Sequence, residues 1–265
     1  MADITEVELA KLRDSFEPLV GTQIGMLKIP VKVLRAFQPS QIGTIVGTLM
    51  DACIPELDLI LPANARFAGL GLKKAPGQLK DREGYPDYLH ETGFRLELKL
   101  LYIDPNDGLM KLAETPREPS ARITQKVTLK NVQPDKDALL VLAYQLRPNE
   151  NEPENYSPEI LSVGVLSMVE CIRARDHRLV SAGGMWFGDY ETPAILSRIG
   201  NDKKRSGVAL DTSAYGRKES EGRDFNEDTN FGKLKRIPYR PLQAFLKASG
   251  SNYSSTGDYP ERWEI

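Results

Sequence analysis

Between residues 94 and 100 apolar and charged positions alternate without a break. Phe94, Leu96, Leu98 and Leu100 fall on one side of an extended chain, and Arg95, Glu97 and Lys99 fall on the other. A period of two predicts a half-buried β-strand on which Glu97 and Lys99 point the same way. Residues 90–93, just before it, predict a turn that brings Asp87, on the preceding strand or strand end, beside Glu97.

Helical spacing dominates the N-terminal part. Residues 6–20 read as an amphipathic helix whose end Pro18 limits. Gln38-Pro39-Ser40 opens a second, with Ser40 as N-cap and Ile42, Ile45, Val46, Leu49, Met50 and Cys53 as its apolar face. Gly43 and Gly47, four apart, allow another helix to approach closely, in the core or in a dimer. Residues 62–84 are rich in Gly, Lys and Pro and read as a loop leading into the candidate site, whose exposed amides and lysines suit a phosphate backbone. Pro119-Ser120 reads as the entry to a short helix over 121–129 that exposes Arg122, Gln125 and Lys126. Residues 137–146 read as a buried strand, and 160–172, with valines and Gly164, as another. Strand, helix and strand joined by a right-handed crossover predict an α/β fold with a central mixed sheet flanked by helices.

One domain is expected over residues 1–265, with a helical part over 1–60, a catalytic core over 80–175 and a loop-rich part over 183–250. Residues 183–240 show little periodicity, and recognition of DNA is the expected role of so long an irregular stretch.

Asp87 and Glu97 side by side present two anionic oxygen donors, the ligand type that a hard cation such as Mg2+ takes with water and phosphate completing its shell. Lys99, one strand step away, is close enough to orient or activate an attacking water. A second acid-x-Lys triplet, Asp202-Lys203-Lys204, follows Gly200-Asn201 without an apolar run and reads as an exposed turn. His90 and His177 have no partner at zinc-ligand spacing and read as surface or loop residues. Cys53 and Cys171 read as small core side chains. No phosphate loop or dinucleotide-binding turn occurs, and residues 183–188, with Trp186, read as a tight turn with an aromatic anchor.

At Pro86-Asp87 and Glu97-Leu98-Lys99 the chain resembles the PD-(D/E)XK nuclease superfamily, and in size and single site it looks most like a type II restriction endonuclease. The resemblance covers about residues 80–145. It implies a restriction-endonuclease-like fold, Asp87 and Glu97 as Mg2+ ligands with the main-chain carbonyl of Leu98, and Lys99 as the water-orienting lysine. A further acid from an earlier helix is common in such enzymes, and Asp51, Glu56 and Glu83 all qualify. The implied activity is Mg2+-dependent hydrolysis of double-stranded DNA at a specific sequence by a homodimer, with a methyltransferase acting on the same site as a partner. Rival readings are a repair or recombination nuclease and a DNA-binding protein without activity.

Composition adds little against this. The chain is 40% hydrophobic and 27% charged with a net charge of -2, and its N-terminus lacks a basic start followed by an apolar core, so a soluble, cytoplasmic protein is expected. The small net charge conceals segregation: Lys73 and Lys74, Lys203, Lys204 and Arg205, Arg217 and Lys218, and Lys233, Lys235 and Arg236 form basic clusters, whereas residues 150–154 are acidic. On one cleft the clusters would bind DNA phosphates, and Lys73, Lys74, Lys203, Lys204 and Arg205 are the candidate contacts.

Overall fold

The alternating segment forms strand β4 (Arg95–Tyr102), and it lies within a mixed sheet of six. In the computed structural model, residues 3–56, 70–76, 84–103, 109–110, 121–124, 127–181 and 232–250 are described. The other strands are β1 (Ile29–Pro30), β2 (Leu72–Lys74), β3 (Tyr88–His90), β5 (Asp137–Pro148) and β6 (Asn155–Ser167). Their order across the sheet is β1-β6-β5-β4-β3-β2, with β4 and β5 parallel and every other neighbouring pair antiparallel. The helices are α1 (Glu6–Phe16), α2 (Val31–Leu34), α3 (Pro39–Cys53), α4 (Met168–Ser181) and α5 (Arg240–Ala248). The α/β class with a central mixed sheet is therefore as expected. Among the described residues no helix is long and apolar enough to cross a membrane.

A parallel pair needs cover on both faces, and β5 has it. Residues 137–144 are fully buried. Leu140, Leu142 and Tyr144 enter one core, with Leu96 and Leu98 of β4 and with Leu9, Leu12 and Phe16 of α1 and Ile42, Val46 and Met50 of α3. Leu139, Val141 and Ala143 enter a second, with Val169, Cys171 and Ile172 of α4 and Leu242 and Leu246 of α5. Each leucine buried in this way contributes on the order of 1.5–3 kcal/mol.

Local signals explain most boundaries. Thr5 caps α1 in a capping box: Glu8 N–H donates to Thr5 Oγ1 at 3.3 Å and Thr5 N–H donates to Glu8 Oε2 at 2.8 Å. The helix ends at Phe16, and Pro18 lies in the 3-10 turn that follows. Between β3 and β4 the turn closes through Gly93, whose φ of +90° suits a residue without a Cβ.

Several expectations are corrected. Gln38, not Ser40, caps α3, because Pro39 takes the first helical position and Gln38 N–H donates to Gln41 Oε1 at 2.9 Å. The apolar face of α3 is wider than its core contact: Ile45 and Leu49 are each 46% exposed. Gly43 and Gly47 face β4 and not a helix, since a Cβ on Gly43 would lie 3.5 Å from Tyr102 Cβ and one on Gly47 4.0 Å from Leu100 Cδ1. The expected loop over 62–84 contains strand β2, which pairs with β3.

Residues 121–124 and 127–129 are not helical. Ile123 N–H donates to Gly232 O at 2.8 Å and Leu234 N–H to Ala121 O at 3.1 Å, so the main chain bonds sideways, as β-branched Ile123, Thr124, Val127 and Thr128 favour. The apolar run over 160–172 is strand only to Ser167, whose Oγ accepts from Glu170 N–H at 3.3 Å and opens α4. At the end of the expected loop-rich part, α5 is a helix, while residues 182–231, Trp186 among them, lie outside the described residues. His90 is buried, edge-on to Phe16 with ring centroids 5.7 Å apart, and His177 lies half-buried on α4. Cys171 is buried as expected, and Cys53 half-buried.

Gly164 of β6 lets α5 settle on the sheet, since a Cβ there would lie 2.8 Å from Phe245 Cδ2. Gly164→Ala should therefore lower the unfolding free energy in urea by about 1–3 kcal/mol. Adding Phe245→Leu should return part of that loss, and simple additivity of the two changes would show that the two residues do not meet.

Candidate functional site

Strand β3 stops early, and the site lies where it stops. Tyr88 pairs with Leu96 and Leu89 with Arg95. Continuing that register sets Pro86 opposite Leu98, and a proline offers no N–H to the ladder. Both main-chain groups of Leu98 are taken by side chains. Its N–H donates to Asp87 Oδ2 at 2.7 Å, and its carbonyl accepts from Lys99 Nζ at 3.0 Å. On its other side Asp87 is fixed by β2, whose extension donates Ala75 N–H to Asp87 O at 3.0 Å. Asp87, Glu97 and Lys99 are thus brought together as the strand pattern predicts.

Lys99 Nζ also donates to Glu97 Oε1 at 2.6 Å, and both side chains are largely buried. Burial pushes Glu97 up to about 7 and the adjacent Asp87 carboxylate adds to this, against the pull of Lys99. For Lys99, burial acts to lower the ammonium, but Glu97 and Asp87 outweigh it and hold it above the ordinary lysine value. Lys99 is therefore a standing cation, suited to orienting water and to stabilising negative charge more than to accepting a proton.

These groups line a cavity of about 450 Å3 together with Gly84, Pro86, Asp51, Lys74, Ala75, Arg122 and Thr124. Of the further acids the sequence offers, Asp51 of α3 is on the wall, while the Glu56 side chain and Glu83 lie outside the described residues. Lys74 reaches the cavity but is paired with Asp51, Nζ to Oδ2 3.0 Å. Lys73 is exposed on β2, away from the wall. Lys203, Lys204 and Arg205 lie outside the described residues, as does Asp202.

The residues suit a hard divalent cation on one observation in particular. Glu97 Oε2 is buried and has no hydrogen-bond partner, although Glu97 is only 4% exposed. A buried carboxylate oxygen without a donor is costly, and a cation satisfies it. Among the described residues no group of three or more His, Cys, Asp or Glu gathers. Such an ion would be held by Asp87, Glu97 and the second lone pair of the Leu98 carbonyl, with water.

Beneath the site lies a network that the sequence reading did not single out. Arg95 Nε is 2.9 Å from Asp137 Oδ1, Tyr85 OH donates to Asp137 Oδ2, and Gln133 N–H donates to the same oxygen at 3.1 Å. It anchors the chain two residues before Asp87 to the start of β5. The only sequence signal was Arg95 on the strand's charged face, since its acid comes from a residue 42 positions later.

The raised Glu97 makes a signed prediction for the cation-free protein. An acid whose folded value lies above its unfolded one favours folding at low pH, and that contribution is lost as pH rises from about 4.5 through about 7. Glu97→Gln should accordingly stabilise the protein at pH 8 relative to pH 5 by roughly 2 kcal/mol, read by urea denaturation in a chelator. An equal effect at both pH values would show that the carboxylate ionises normally.

No model of a known protein family, no curated protein and no solved structure matches this chain; what the cavity can do follows from its own groups.

Proposed function

We propose that this protein is a Mg2+-dependent endonuclease that hydrolyses double-stranded DNA, with a restriction-endonuclease-like fold and the sequence specificity of a type II restriction enzyme. The observation that carries this reading is the convergence of Asp87, Glu97 and Lys99 in one cavity, with a buried carboxylate oxygen that lacks a partner.

Asp87 and Glu97 hold the cation, and the hydrogen bond from Leu98 N–H fixes the Asp87 carboxylate for that task. When bound, a divalent cation acidifies a water and neutralises charge on the phosphate. Two of the three Lys99 N–H groups are used by Glu97 and Leu98, and the third serves a water or a phosphate oxygen in the cavity. Hydrolysis then adds water across one P–O bond: a hydroxyl joins phosphorus, and the sugar oxygen leaves with the proton. Arg122 on the wall and Lys73 on the exposed edge strand supply positive charge for the backbone of the duplex. One cavity cuts one strand, so a duplex cut requires a second copy, and a two-fold pair matches a palindromic target.

Incubation of phage DNA with the protein and Mg2+ should give discrete fragments, whereas a smear would indicate recognition of DNA structure in place of sequence. Asp87→Ala and Glu97→Ala should each abolish cleavage, and Lys99→Ala should slow it by about 100-fold or more, with the fold intact by circular dichroism. DNA binding without any Mg2+-dependent cleavage by the wild type would overturn the enzymatic reading.

A further inference from the structure

The acid on the far wall of the cavity already has a cation. Lys74 Nζ lies 3.0 Å from Asp51 Oδ2 and 3.2 Å from Oδ1, between the two carboxylate oxygens. It is also 3.4 Å from the Tyr88 hydroxyl and 4.4 Å from the centroid of that ring. The Tyr88 hydroxyl in turn contacts Asp51 through both its carboxylate and its main-chain carbonyl. Asp51 is thus fully engaged, by a phenol within the fold and an ammonium at the cavity mouth.

Glu97 also has a cation, Lys99, 2.6 Å from its Oε1, but its second oxygen is unmet. Its Oε2 is buried and has no hydrogen-bond partner, and the residue lines the same cavity. The two acid positions therefore differ in whether both carboxylate oxygens already have a partner. With side chains 55% and 39% exposed, the Lys74–Asp51 pair adds little to stability, so its effect lies in where it puts a positive charge. Asp51, Asp87 and Glu97 are formally balanced by Lys74, Lys99 and Arg122 around the same cavity. One divalent ion takes the sum to about +2, enough to receive a phosphodiester, and a second would take it to about +4 at short range.

We propose that Lys74 is the resident cation of the Asp51 wall and restricts the cavity to a single divalent ion, held at Asp87 and Glu97. This inference rests on the reading of the cavity as a cation-dependent site. A tethered ammonium supplies at Asp51 the charge neutralisation that a second metal ion would, without needing free metal. It also leaves Lys74 able to turn toward a phosphate once one arrives, since its partner is at the solvent edge.

The test counts ions on the full chain without DNA, using Mn2+ in equilibrium dialysis and electron paramagnetic resonance. Wild type should bind one Mn2+ per chain, and Asp87→Asn should lose it. Lys74→Gln should bind two, with line broadening from a neighbouring Mn2+ pair, and Lys74→Gln with Asp51→Asn should return to one. Lys74→Arg, which keeps the charge, should also bind one. Two ions on the wild type, or one on Lys74→Gln, would overturn the role of Lys74 while leaving the cation site intact. No Mn2+ on the wild type, or binding unaffected by Asp87→Asn, would instead overturn the cation site itself.

Discussion

Leu98 stands where the ladder between β3 and β4 runs out, and its N–H and carbonyl must find partners that are not strand backbone. An unpaired main-chain group in so buried a place would cost roughly 1–3 kcal/mol. Pro86 cannot supply a donor, and the two groups are met by Asp87 and Lys99. The same geometry that solves a backbone problem therefore aims an acid and a base at one point. A proline directly before an acid at the end of an edge-side strand is thus a structural instruction: it ends the ladder and turns the next side chain inward.

The charged face of β4 carries two buried acid–base arrangements with different outcomes. Around Arg95 the Asp137 carboxylate is served by a guanidinium, a phenol and a main-chain amide. Around Lys99 two carboxylates share one ammonium, and Glu97 is pushed up by burial. Burying charge is tolerable only where each group is matched. The first pairs its opposite charges at 2.9 Å, although burial raises Asp137 as it raises Glu97. The second sets two carboxylates beside one ammonium, the local imbalance on which the proposed cation site rests.

Much of this was legible in the sequence because it is local. The alternation over residues 94–100, the turn at 90–93 and the lysine two steps from Glu97 all follow from a period of two and one glycine. What escaped depends on distance in space. Nothing in the spacing of Asp51, Glu56 and Glu83 reveals which of them α3 carries to the cavity, because that depends on how closely Gly43 and Gly47 seat the helix on β4. Strand β2 was hidden in a glycine-, lysine- and proline-rich stretch, since three residues are too few to display alternation. The helix expected over 121–129 failed for the opposite reason: its period was plausible, but sideways bonds to residues 232 and 234 outweighed it. Ser40 and Gln38 were both polar residues at the entry to α3, and Pro39 at the first helical position decided between them.

Over residues 137–144 strand β5 is buried on both faces and flanked on both edges, by β4 on one side and β6 on the other. Its neighbour β4 inherits that anchorage and bears Glu97 and Lys99. Strand β2, which bears Lys74, is three residues long, lies at the sheet's edge and pairs with β3 alone. The two walls of the cavity thus belong to regions of unequal stiffness. Amides of β4 and β5 should exchange with solvent only when the whole molecule opens, and those of β2 by local fraying. The wall with Glu97 and Lys99 is an anvil and the wall with Lys74 a latch: on the nuclease reading proposed above, the first would hold geometry and the second would yield to a long polymer.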